Sequence, residues 1–295
     1  MENVLIGHSN DDYTGVSVVI FPQGAVAGVD VRGSAPGTRE TDLLKCGNSV
    51  QKVTAIMLAG GSAFGLDAAS GVMRFLYEKG WGFNKGKHIV PIVPSAILFD
   101  LNDGKLHFPD NEMGYVACKN AKSDNLVGGK IGAGKGATVG KVLGLFYSCW
   151  GGIGTASVKI GHATVSAMVA VNAFGDVYDC NNGRIIAGAK IGDGEFLDTA
   201  KYMMTNDLSL YKGGGTNTTI GVVFTDAKLS KEQANKLASI SHNGLAMSIR
   251  PVHTMLDGDT MFAASCGDIE AEFNSLCVGA VEAVRLAVIN AVKPV

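Results

Sequence analysis

Long hydrophobic runs are missing from this chain. The longest, such as residues 53–59 and 220–224, are strand-sized. None approaches the ~20 residues needed to cross a bilayer, so no membrane partner is expected. The opening Met1-Glu2-Asn3-Val4 lacks the basic and apolar regions of a signal peptide, which points to a cytoplasmic protein. Blocks of one charge are also missing. The net charge is −2 with 18% charged residues, and nothing recommends a nucleic-acid partner. Six cysteines are scattered with no CxxC pair, which suggests a reducing compartment and buried free thiols. Six histidines do not cluster at metal-ligand spacing, so no metal site is expected.

What the chain has in excess is glycine, 40 residues dispersed through apolar segments. Such usage suits tight turns and backbone-lined sites. At 295 residues a sizeable core is available, and the absence of repeats and linkers suggests one domain, residues 1–295.

Patterning predicts strands at 16–21 and 25–31, joined by a turn at Pro22-Gln23-Gly24, and another at 53–59. Gly60-Gly61 then leads into a helix from Ser62, with Ala68, Val72, Phe75 and Leu76 at helical spacing and Gly80 as its stop. A strand at 88–93, a helix at 111–121 and glycine-rich strand and turn over 130–154 follow. Residues 164–172 read as a strand ending in a hairpin-like turn at 173–176. Residues 203–217 read as a polar loop, and 220–224 as a strand. Ser230 and Gln233 form a capping box. The helix they open carries Ala234, Leu237, Ala238, Ser241, Leu245 and Ser248 on one face and stops before Pro251. A strand at 261–264 and a long helix over 268–292 close the chain. Helices gathered late among mixed strands suggest an α/β sandwich.

Three segments are candidates for chemistry. Gly60-Gly61-Ser62-Ala63-Phe64-Gly65 sits where a nucleophile elbow belongs, but the last glycine comes one residue late. Ser62 is then a helix cap, a catalytic serine, or part of a backbone N–H site for substrate. Gly129 and Gly134-Lys135 have P-loop spacing, yet Gly136 replaces the magnesium-binding hydroxyl. That segment reads as glycine-rich strand and turn unless one of its lysines lines a site. The third, Gly213-Gly214-Gly215-Thr216-Asn217-Thr218-Thr219-Ile220, feeds a glycine loop into a buried strand. A hydroxyl there can attack the preceding carbonyl and free an α-amine. That amine titrates near ~7.7–8.0 in model peptides and serves as base for its own hydroxyl. Threonines that merely start a strand fit the same residues.

The stretch Asn217-Thr218-Thr219-Ile220-Gly221-Val222-Val223-Phe224-Thr225-Asp226 resembles the processing site of the DmpA-type aminopeptidases and the 6-aminohexanoate-oligomer (nylon-oligomer) endohydrolases. Pro251-Val252-His253-Thr254, Asp257-Gly258-Asp259-Thr260, residues 60–66 and residues 151–157 resemble that family too, in order along most of the chain. The resemblance implies an αββα-type sandwich similar to N-terminal nucleophile hydrolases. It implies self-cleavage between Asn217 and Thr218 into fragments 1–217 and 218–295, with Thr218 as nucleophile. Lys141 matches a catalytic lysine, Asn172 an oxyanion-side asparagine, and Asp257 and Asp259 a polar pair beside the nucleophile. Phe99 stands where some members have a tyrosine. With Gly61 and Ser62 it is placed at the substrate. His253 is read as a packing or supporting histidine. The implied activity is hydrolysis of small peptides or linear amide oligomers by a homotetramer that needs no cofactor. A serine hydrolase using Ser62, an acyltransferase using the same Thr218, and a non-catalytic glycine-rich binding protein are the alternatives.

Overall fold

The computed structural model describes residues 1, 3–102, 104–207 and 216–293. Gly213, Gly214 and Gly215 of the expected glycine loop lie outside them. Nine strands form the main sheet: Leu5–Asn10 (β1), Gly15–Val31 (β2), Gly37–Arg39 (β3), Lys52–Ala59 (β4), Ser95–Ile97 (β5), Gly152–Ile160 (β6), Ala163–Asn172 (β7), Thr218–Ala227 (β8) and Thr260–Ile269 (β9). Their spatial order is β6-β7-β8-β9-β2-β4-β5-β3, with β1 also paired to β2. The α-helices are Ala68–Glu78 (α1), Asn111–Lys119 (α2), Thr199–Thr205 (α3), Lys231–Ser248 (α4) and Phe273–Val292 (α5).

Alternation along the strands separates the layers. On β7, Val165, Ala167, Val169 and Val171 face outward onto α4 and α5, packing with Leu237, Leu245, Leu276 and Val284. Met168 and Ala170 face inward with Ile220, Val222, Phe224 and Phe262. They meet Val19, Phe21, Ile56 and Leu58 from the other half of the same sheet. Val16, Val18, Ile20 and Met57 then face outward onto Val72 and Leu76 of α1. The result is helix, sheet, sheet, helix, the αββα arrangement, built from one continuous sheet folded over its own core. Burial of each large side chain in that core, Phe262 among them, contributes about 1.5–3 kcal/mol.

The fold at the corner is made by β2. Two strands joined by a turn were expected there; instead a single 17-residue strand runs through Pro22-Gln23-Gly24. Its pairing with β4 slips between Ile20 and Ala25, and such a bulge bends a strand. The first half of β2 therefore pairs with β1 and the second half with β9, while β4 pairs on both sides of the bulge.

Other boundaries moved as well. The expected helix from Ser62 begins as a 3-10 turn over Ser62–Asp67 before α1. Ser62 has φ +55°, and the cap positions of the 3-10 turn and of α1 are Gly61 and Asp67, so it is not the helix cap. The expected strand at 88–93 is reduced to His88–Val90. Residues 173–176 do not make a hairpin: the strand that follows, Asp176–Asp179, pairs with Arg184–Ala187 and Ile249–Arg250 instead of β7. Part of the expected loop at 203–217 belongs to α3. The start of the final helix, placed at Asp268, belongs to β9, and α5 opens after Glu272, whose carboxylate caps it. In length and hydropathy α5 is a helix that can cross a bilayer, unlike the short runs anticipated. Here it packs on β6, β7 and α4 as a core helix. All six cysteines are free; Cys118 and Cys277 are buried as expected, whereas Cys46 is exposed.

Candidate active site

The register of the sheet sets the site. Antiparallel pairing of β7 with β8 places Asn172, the last residue of β7, opposite Thr218, the first of β8. Both are buried. The Thr218 hydroxyl donates to the carbonyl oxygen of Asn217 at 2.5 Å. That same oxygen accepts the Gly258 N–H at 2.9 Å. The carbonyl of the Asn217–Thr218 peptide thus receives two donors, one of them the hydroxyl that stands beside it.

Gly258 owes its place to its missing side chain. A Cβ there would lie 2.5 Å from the Ala35 carbonyl oxygen and 2.7 Å from the Thr218 hydroxyl oxygen. Only glycine lets the 257–259 segment lie this close to the strand that Thr218 opens. The sequence motif contains this glycine between two aspartates, but its backbone donor was not anticipated.

Asn172 is the hub on the other side. Its Oδ1 accepts the Thr138 N–H at 3.0 Å and the Lys141 ammonium at 2.7 Å. Its Nδ2 donates to the Phe99 carbonyl at 2.7 Å and to the Thr216 carbonyl at 3.3 Å. The Asn172 amide therefore meets the carbonyl of Thr216, not that of Asn217. Lys141 is held beside Asn172 by backbone bonds of Gly140 and Lys141 to Gly175 and Phe174. Its ammonium also donates to the carbonyls of Asn172 at 3.2 Å and Thr216 at 3.3 Å. Burial brings its pKa down to about 7, opposed by the carboxylates of Asp257 and Asp100.

The two aspartates divide their work. Asp257 accepts the backbone N–H of Thr254 at 2.8 Å and its hydroxyl at 2.6 Å. Burial, and then the charge of Asp259, push its pKa up to about 6. Asp259 accepts the Thr219 N–H at 2.6 Å through one oxygen, and through the other the backbone and Nδ1 of His253 at 3.1 and 2.8 Å. Its bond is thus to the residue after Thr218. His253 stacks edge-on against buried His242, with centroids 4.7 Å apart, in the supporting place expected of it.

The remaining expected residues sit near this centre without joining its reacting groups. Phe99 contributes its carbonyl to Asn172, and its ring has no hydroxyl to offer. The Gly61 N–H is taken by the Asp100 carboxylate at 2.6 Å, so it is not an open donor for substrate. Ser62 is anchored through its backbone N–H to the Leu98 carbonyl at 2.9 Å. Among the described residues it has no bond to His253, whose Nδ1 is bound to Asp259. No serine–histidine pair is formed. The P-loop reading of 129–136 fails too: Gly129 pairs with Ile153, and Gly132–Gly134 is a single 3-10 turn with no α-helix after it. Asp100 was missed. It is a buried acid after an apolar run, pushed up to about 6 by burial against the Gly61 N–H bond. The signal was its adjacency to Phe99.

In this fold a hydroxyl residue at a strand edge stands between an asparagine–lysine pair and an aspartate pair, a grouping suited to amide hydrolysis. The chain matches the model of Peptidase family S58 over residues 1–294, and it belongs to that family. It is 45% identical over 268 residues to an uncharacterized aminopeptidase of Mycobacterium leprae (strain TN), covering 87% of this chain and 72% of that one. It is 30% identical over 274 residues to a 6-aminohexanoate-oligomer endohydrolase of Agromyces sp. (strain KY5R), covering 89% and 72%. Its fold superposes with TM-score 0.71 on the L-aminopeptidase D-Ala-esterase/amidase of Ochrobactrum anthropi, a variant of the Ntn hydrolase fold. That match has 17% identity and covers 99% of this chain and 84% of the other.

Proposed function

We propose that this amide hydrolase activates itself by cutting the Asn217–Thr218 bond and then uses Thr218 as its nucleophile. One observation carries the reading. The Thr218 hydroxyl lies on the Asn217 carbonyl oxygen, which the Gly258 N–H already polarises. Attack by Oγ1 on that carbonyl carbon forms an ester and breaks the peptide C–N bond, and the proton passes to the departing nitrogen. Water then hydrolyses the ester, leaving a carboxylate on Asn217 and a free amine on Thr218.

In the cut enzyme that amine takes the proton of its own hydroxyl, Oγ1 attacks a substrate amide, and water releases the acyl group. Departure of residue 216 frees the Asn172 amide to donate to the oxyanion. Where Lys141, beside the same strand end, is protonated, its charge disfavours a second positive charge on the amine. Asp257 and Asp259 brace the segment that carries the Gly258 donor. The substrates are small peptides or linear amide oligomers, as the names of the relatives above suggest. The enzyme is read as a cytoplasmic homotetramer, and exposed Phe146, Tyr147, Ile191 and Met204 provide apolar surface for subunit contacts.

The test is amide hydrolysis, followed as amine release from short peptides and linear amide oligomers. Thr218→Ala is expected to lose about 10³-fold or more, as nucleophile removal does elsewhere, whereas Thr218→Ser retains activity. Ser62→Ala should leave the rate near that of the wild type. Loss of activity in Ser62→Ala with activity kept in Thr218→Ala would transfer the nucleophile to Ser62.

A further inference from the structure

A cleft of two adjoining parts lies beside the site, past two lysines. Its first part, about 190 Å³, is lined by Asp100, Lys130, Lys135 and Trp150 among others. Two of its lining residues connect to the Asn172 hub, each through one neighbour. Asp100 follows Phe99, whose carbonyl holds Asn172. Trp150 pairs with Thr138, whose N–H holds the Asn172 side chain. The second part, about 540 Å³, shares Lys130 and Trp150 with the first. Its floor includes Ile186 and Val292, and its walls carry Lys190 and Lys293. Together the two parts fall in the size range of small-molecule sites, roughly 300–1,000 Å³.

The Lys130 ammonium sits 3.3 Å from the centroid of the Trp150 ring, which fixes it in the wall common to both parts. Burial and the nearby charge of Lys135 both lower its affinity for a proton. Among the described residues neither Lys130, Lys135 nor Lys190 has a carboxylate partner within 4 Å. The second part has no acidic residue in its lining. The first also holds two acids, exposed Asp12 and buried Asp100, the latter with one oxygen on the Gly61 N–H. An apolar floor with unpaired ammonium groups along its walls suits an aliphatic or aromatic chain that ends in an anion.

We propose that this cleft binds the carboxylate-bearing end of a linear amide substrate, so that the enzyme prefers amides with a free carboxylate. The proposal rests on the hydrolase reading above and specifies its substrate class. Lys130 and Lys190 stand outside the group that touches the reacting bond.

The experiment compares two linear amides of equal length, one ending in a carboxylate and one in a carboxamide. In the wild type, KM for the carboxylate member is expected to be lower by about fivefold, the scale of an exposed charge pair, with kcat alike. The Lys130→Gln/Lys190→Gln double variant should bring the two KM values within about twofold, with self-cleavage and kcat retained. Equal KM values in the wild type, or a preference that survives the double variant, overturn the proposal. Calorimetry of the same pair on Thr218→Ala separates the two readings. Tighter carboxylate binding there, with no hydrolysis by the wild type, would sink the hydrolase reading and keep the cleft. Equal binding with no hydrolysis would remove both.

Discussion

Lys141 illustrates how burial decides chemistry at the residue scale. An exposed lysine keeps its proton far above neutrality, but here the pKa falls to about 7. The native group is therefore neutral above about pH 7 while the unfolded one remains charged to its model value of 10.5. Two consequences follow with definite signs. The native state binds fewer protons across that window, so Lys141 makes the fold less stable toward the low-pH end of it. A neutral amine beside the strand end is also able to take up a proton, so self-cleavage should speed up as pH rises through about 7 and then level off. Following the loss of intact chain against pH checks this. Lys141→Arg, which cannot lose its proton in this range, should be slower by about 10²-fold or more and lack the rise. Lys141 and Asn172 were legible in the sequence only through family motifs, because 31 residues separate them. Gly258 was less legible still, since its contribution is a backbone N–H that no side-chain pattern encodes.

At the scale of elements, local rules worked where one element satisfies itself. The Ser230–Gln233 capping box opens α4 as expected, with Ala234, Leu237, Ala238, Ser241, Leu245 and Ser248 buried on its inner face. They failed where a neighbour decides. Pro22-Gln23-Gly24 is turn-like on its own terms, but β4 and β9 hold it inside one strand as a bulge. Residues 268–269 fit a helix by pattern, yet the end of β9 claims them. Helix α4 lies so close to β2 that a Cβ on Gly28 would meet the Asn235 nitrogen at 2.3 Å. Backbone cannot step aside as a flexible side chain can. Gly28→Ala should therefore destabilise the fold by about 1–3 kcal/mol. Urea denaturation of Gly28→Ala in the uncut Thr218→Ala background is the measurement, since a single chain keeps unfolding unimolecular. An unchanged midpoint would mean that α4 shifts freely on β2.

For the whole molecule, the central point is where β8 lies. It is paired with β7 on one side and with β9 on the other, inside a sheet that closes over its own core. The mix of strands and helices suggested an α/β sandwich and the family resemblance its αββα layering, but neither told that both sheet layers are halves of one sheet, because that depends on the bend in β2. The same topology explains how a cut at the start of β8 can leave a working enzyme. Residues 218–227 keep their ladder on both sides, and α4 and α5 remain packed on the sheet, so the two fragments should stay in one folded body. The proposed activation therefore turns on a single bond, Asn217–Thr218. It is tested most directly by the intact mass and N-terminal sequence of the purified wild-type protein beside Thr218→Ala. The prediction is two chains in the wild type, one beginning at Thr218, and one uncut chain in the variant. A wild type still in one piece after long incubation at pH 8, or a new N-terminus at another residue, would contradict it.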